Sequence, residues 1–94
     1  MKKFKFIIIE PSDNCATAFE DIPNKSVVNV GENSFIINQD IPFGHKFALV
    51  DIKKGKDIIK YAEVIGFATE NISKGDWIHI HNIASNILGV INNG

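Results

Sequence analysis

A short turn theme recurs along this chain and constrains its fold more than any other feature. An acid or amide is followed by Ile, two loop residues and a turn residue, and apolar residues resume soon after. It reads Asp21-Ile22-Pro23-Asn24-Lys25, then Asp51-Ile52-Lys53-Lys54-Gly55, then Asn71-Ile72-Ser73-Lys74-Gly75. Gly55 and Gly75 supply the positive φ that a tight strand-to-strand turn requires. Three units of irregular spacing do not make a solenoid. They predict a mostly β body of short strands and many turns. The chain has 94 residues, which gives room for one compact domain and none for a two-domain enzyme.

The segments between the turns agree. Residues 4–9 are rich in β-branched and aromatic side chains and stop before Pro11, so they predict a first strand. Further strands are expected at 26–30, 34–38, 46–52, 64–68 and 76–82, while 57–61 fits either a strand or a helical turn. Asp40-Ile41-Pro42-Phe43-Gly44 reads as a turn fixed by its Pro and Gly. Asp13 is expected to cap one or two helical turns over 15–20, where alanines favour a helix.

Composition excludes several classes. Hydrophobic residues are 45% and charged residues 22% of the chain, as in a globular domain rather than a disordered one. With a net charge of −1 there is no electrostatic footprint for nucleic acid or for an anionic membrane. No apolar stretch approaches the roughly 20 residues needed to span a bilayer. The apolar run after Met1 is short, contains Lys5 and meets Glu10-Pro11, so it reads as a strand and not as a signal peptide. The one cysteine, Cys15, excludes an internal disulfide and fits a reducing, cytoplasmic setting. All ten basic residues are lysines. Without arginine there is no planar fork for bidentate capture of a carboxylate.

The stretch Trp77-Ile78-His79-Ile80-His81-Asn82 carries the most chemistry. Alternation on a strand puts Ile78 and Ile80 on a core face, and Trp77, His79 and His81 on the other. Two His at i and i+2 can reach one metal ion, or they can simply hydrogen-bond water and backbone at a half-exposed edge. A third ligand is absent from the local sequence. Gly44-His45-Lys46 enters a strand from a turn, where functional side chains gather. His45 can act as an acid or base near neutral pH and Lys46 can pair with a carboxylate; equally, Gly44 serves the turn and His45 caps it. Cys15 is either a thiol activated at a helix N-terminus or a small apolar filler.

The run Ile41-Pro42-Phe43-Gly44-His45-Lys46-Phe47-Ala48-Leu49-Val50-Asp51-Ile52-Lys53-Lys54-Gly55 resembles the altronate and galactarate dehydratase family. The likeness continues through Ile59-Lys60-Tyr61, Ile65-Gly66-Phe67-Ala68 and Ile72-Ser73-Lys74-Gly75-Asp76-Trp77-Ile78-His79-Ile80-His81-Asn82, and includes Asp13-Asn14-Cys15-Ala16. It spans roughly residues 12–82 in one colinear order, and leaves 83–94 as a partner-facing tail or linker. The resemblance implies a single SAF-type domain with a β-clip fold carrying one or two short helices. It implies a small subunit, or the front domain, of a sugar-acid hydro-lyase that is not active alone and works beside a large catalytic part. The implied chemistry is proton abstraction next to a carboxylate with loss of a β-leaving group. A divalent metal, Fe2+ or Mn2+, would be held mainly by the large part.

By the same resemblance, His45, Lys46, His79 and His81 are expected catalytic positions. Asn82 and Lys46 are expected to meet substrate, and His79 and His81 to add to the metal site. The small subunit of sulfolactate sulfo-lyase is the related alternative, and a non-catalytic carbohydrate-binding or assembly module is the alternative of another class. One departure is visible. The family has Gly after the Tyr where this chain has Ala62; if that position needs positive φ, Ala costs about 1 kcal/mol or more there.

Overall fold

The isoleucines of the turn theme pair with one another. Ile22 forms an antiparallel bridge with Ile41, and Ile52 forms one with Ile72. In the computed structural model, which describes residues 3–84, four turns of one kind therefore close two loops. The fourth turn is Asp40-Ile41-Pro42-Phe43-Gly44. The positive-φ position of each turn falls at Lys25, Gly44, Gly55 and Gly75.

The two loops repeat each other bond for bond. The Asn24 N–H donates to Asp40 Oδ1 at 2.8 Å, and the Lys54 N–H to Asn71 Oδ1 at 2.9 Å. The Phe43 N–H donates to Asp21 Oδ1, and the Lys74 N–H to Asp51 Oδ1, both at 2.8 Å. The leading acid or amide of each turn thus ties down the backbone of its partner turn. This explains why the theme demands Asp or Asn at that place: a short side-chain oxygen replaces a missing backbone acceptor.

Nine strands are described: β1 (Phe6–Ile7), β2 (Cys15–Ala18), β3 (Val27–Val30), β4 (Asn33–Ile36), β5 (Lys46–Ala48), β6 (Asp57–Lys60), β7 (Glu63–Ala68), β8 (Trp77–Ile78) and β9 (Ile83–Ala84). They form a four-stranded sheet of order β1-β2-β5-β8, the hairpin β3-β4, and a three-stranded sheet of order β6-β7-β9. All the pairings are antiparallel. Each hairpin projects from one of the two closed loops. This is the mostly β fold expected of the SAF type. Among the described residues there is no helix of any kind.

The four-stranded sheet separates two apolar clusters. Cys15, Ala48, Ile52, Ile58, Ala68, Ile72 and Ile78 lie on one side. Ala16, Ala18, Ile22, Val28, Ile37, Ile41 and Phe47 lie on the other. This corrects the helix expected at 15–20. Cys15–Ala18 is a central strand covered on both faces, where only small side chains fit between two cores, and that burial overrides the helical preference of alanine. Asp13 is likewise no helix cap. Its carboxylate accepts from the backbone of Glu10 and Ala62.

A second correction concerns 76–82. The strand ends at Ile78 and the chain turns over 79–82. Ile80, expected in the core, is 82% exposed. The expected tail begins as β9 at Ile83–Ala84, and residues 85–94 lie outside the described residues. Among the described residues no helix is long and apolar enough to cross a membrane.

Candidate functional site

His45 is placed by the turn before it. The Gly44 N–H donates to Ala18 O and the His45 N–H to Pro42 O, while the Ala18 N–H donates to His45 O. Gly44 takes φ 86°, a value open to glycine and strained for other residues. β5 then runs antiparallel to β8, with Lys46 opposite Ile78 and Phe47 opposite Trp77. Extending that register by one residue puts His45 opposite His79, and their rings lie 5.0 Å apart.

Trp77 is the hub. Its indole stacks on His79 at 5.0 Å with an interplanar angle of 7°. His81 approaches the same indole at 5.3 Å. The Trp77 Nε1–H donates to His45 Nδ1 at 3.2 Å. Three imidazoles therefore surround one indole at the end of the sheet. The face expected from alternation holds for Trp77 and His79; His81 reaches it through the turn and His45 through strand register.

Asn82 lies beneath this group. It is 3% exposed, its Oδ1 accepts from the His79 N–H at 3.0 Å, and its Nδ2 donates to Trp77 O at 2.8 Å. Both ends of the carboxamide are engaged by the turn that carries the histidines. The Asn82 N–H also donates to His79 O, and Asn82 O accepts from the Thr69 N–H. Asn82 thus holds the 79–82 turn closed.

Lys46 stands apart from the histidines. Strand alternation puts it with Thr17 and Ile78 on the side of Cys15, opposite to His45 and Trp77. Burial pushes the Cys15 thiol up to about 11, against the lowering influence of Lys46 and Lys60. Cys15 is a buried filler on a strand, not an activated nucleophile. The Thr17 hydroxyl on that side is buried with no hydrogen-bond partner among the described residues.

Two exposed aromatic residues near the site are not among those expected there from the sequence. Phe43, in the turn that carries His45, is 66% exposed and meets the exposed Phe19 edge-on at 6.5 Å. A bulky apolar side chain between Pro42 and Gly44, at a turn with no core to fill, was the available signal. As for a metal, no three His, Cys, Asp or Glu side chains converge among the described residues. The imidazoles pack against an indole and not around a common point. The described residues do not build a complete metal site by themselves.

Comparison with known proteins agrees with the mostly β SAF-type fold. The family described as the altronate/galactarate dehydratase SAF domain matches residues 4–86. Altronate dehydratase of Escherichia coli is 40% identical over 83 residues, which cover 88% of this chain and 17% of that protein. Galactarate dehydratase (L-threo-forming) of the same organism is 38% identical over 73 residues, 78% of this chain and 14% of that protein. The (2R)-sulfolactate sulfo-lyase subunit alpha of Chromohalobacter salexigens is 37% identical over 49 residues, 52% of each chain. The chain thus spans about a sixth of the length of the altronate dehydratase it matches. On the match across residues 4–86, this chain belongs to the altronate/galactarate dehydratase SAF domain family.

Proposed function

We propose that this chain is the SAF part of a sugar-acid lyase and completes an active site whose larger part is another chain or domain. The reaction is removal of water from an altronate- or galactarate-type acid. A proton leaves the carbon beside the carboxylate, and the hydroxyl of the next carbon departs as water. His79 and His81 supply imidazoles for proton transfer at the rim of the site. Lys46, on the other face, is a separate positive charge and does not share their space.

One observation carries this reading. Three imidazoles are gathered around Trp77 in a chain without arginine, and among the described residues no metal-ligand set converges there. Such a surface has groups that move protons but lacks a strong grip on a carboxylate. A larger partner supplies that grip, together with any Fe2+ or Mn2+. Support comes from the relatives, in which the matched segment is a small fraction of a dehydratase or about half of a sulfo-lyase subunit.

The test is to co-express this chain with the large dehydratase-like protein of its own genome. Loss of altronate and of galactarate is followed in the purified complex. Dehydration that requires both chains is the expected result. Sulfite release from sulfolactate without dehydration would move the assignment to the sulfo-lyase. Carbohydrate binding by the isolated chain, with no large partner recovered, would replace both with a binding module.

A further inference from the structure

The contact between Trp77 and His45 fixes more than a distance. An indole N–H is a donor only, and a neutral imidazole has one donor and one acceptor nitrogen. Because Trp77 Nε1–H donates to His45 Nδ1, the proton of neutral His45 sits on Nε2. The indole has little freedom to do otherwise. One face is stacked on His79, its backbone N–H donates to Gln39 Oε1 at 2.8 Å, and its carbonyl accepts from Asn82 Nδ2. Among the described residues, no acceptor meets His45 Nε2–H.

We propose that Trp77 is a positioning residue that locks His45 as the Nε2–H tautomer, so that His45 enters the site as a hydrogen-bond donor to an oxygen of an organic acid and not as a base. Neutral His45 has no acceptor left for a proton: Nε2 already carries one and Nδ1 is taken by the indole. Its free N–H is suited to a carboxylate oxygen or a hydroxyl. In a chain without arginine, this is a fixed donor for the acidic end of the ligand. Proton abstraction then falls to His79, His81 or the partner. The ligand side of this proposal rests on the sugar-acid lyase reading; the tautomer does not.

Two measurements separate these parts. Nitrogen-15 NMR of the histidines in the full chain, at about pH 8.5 where imidazoles are ordinarily neutral, reads the tautomer directly. The expected spectrum has an unprotonated Nδ1 and a protonated Nε2 for His45, and Trp77→Phe shifts the Nδ1 resonance as its donor is lost. A protonated Nδ1 in the wild type overturns the proposal. In the assembled lyase, His45→Gln places an amide N–H near the position of Nε2–H, whereas His45→Ala removes the donor. A donor role predicts that kcat/KM falls about a hundredfold in the Ala variant, and that Gln recovers most of the loss. Equal losses in both variants overturn the donor role, since Gln cannot replace a base. An assembled complex with no lyase activity in the wild type sinks the lyase reading and the ligand half of the proposal with it, and the tautomer is then judged on the NMR alone.

Discussion

The carboxylate of Asp13 accepts a hydrogen bond from the backbone N–H of Ala62, 2.8 Å away, at the tip of the β6–β7 hairpin. Tyr61 and Ala62 both take positive φ there, 57° and 59°, which is the twist a two-residue hairpin turn needs. Next to it, the Asn14 side chain bonds the β6 strand twice, accepting from the Ile59 N–H and donating to Asp57 O, and its backbone N–H donates to Ile59 O. The segment before β2 therefore clamps a hairpin that is far away in sequence.

The Asp13 clamp makes stability depend on pH. Burial pushes this carboxyl up, but backbone N–H groups of Ala62, Glu10, Tyr61 and Ile9 outweigh it and hold the group below its ordinary value. The unfolded chain binds this proton more readily than the folded one. Asp13 thus stabilises the fold above the ordinary carboxylate range, and that contribution is lost as pH falls through its lowered folded value. Urea unfolding from about pH 7 down to about pH 2.5 should show a steeper loss for the wild type than for Asp13→Asn. Parallel curves would mean that the carboxylate contributes nothing.

Ala62 is strained at its place in the turn, because a non-glycine residue at positive φ costs roughly 1–2 kcal/mol. Ala62→Gly is expected to stabilise the domain by about 1 kcal/mol and raise Tm by about 4–8 °C. A fall in Tm would show that the lost side chain or the more flexible unfolded chain outweighs the relief of strain.

Gly44 and Gly75 occupy equivalent turns with similar φ, 86° and 90°. A Cβ on Gly44 meets nothing nearby, whereas one on Gly75 runs into the carbonyl of Ile36. Gly44→Ala should cost about 1–2 kcal/mol from strain alone. Gly75→Ala should cost about 1–3 kcal/mol more, because backbone must shift. Chemical denaturation of the two variants side by side measures the difference.

The Cys15 thiol, pushed up to about 11 by burial and covered on the strand, should be inert in the native state. Labelling with a thiol reagent at neutral pH is expected to follow global unfolding, speeding with urea in step with loss of structure. Rapid labelling without denaturant would contradict the buried position.

Much of this was legible in the sequence. The turn theme revealed a body of short strands because Ile, Gly and the leading acid each have a local physical role. The fourth copy, at Asp40, does not stand out in the sequence because pairing of Ile22 with Ile41 is a matter of register, which no local pattern displays. Cys15–Ala18 is a strand although its alanines carry helical preference, because burial on two faces decides the outcome. For the site, alternation rightly grouped Trp77 with His79 and failed at Ile80, where Asn82 closes a turn. The place of His45 beside them depends on β5 pairing with β8, a contact between distant segments.

The proposed role of the imidazoles around Trp77 is to form part of an active site completed by a larger partner. Its most direct measurement is kcat/KM for dehydration by the assembled enzyme carrying His79→Ala and His81→Ala together, with complex formation checked by co-purification. An intact complex and a loss of at least about a hundredfold are expected. An intact complex working within about twofold of the wild type, against that hundredfold expectation, would contradict this role.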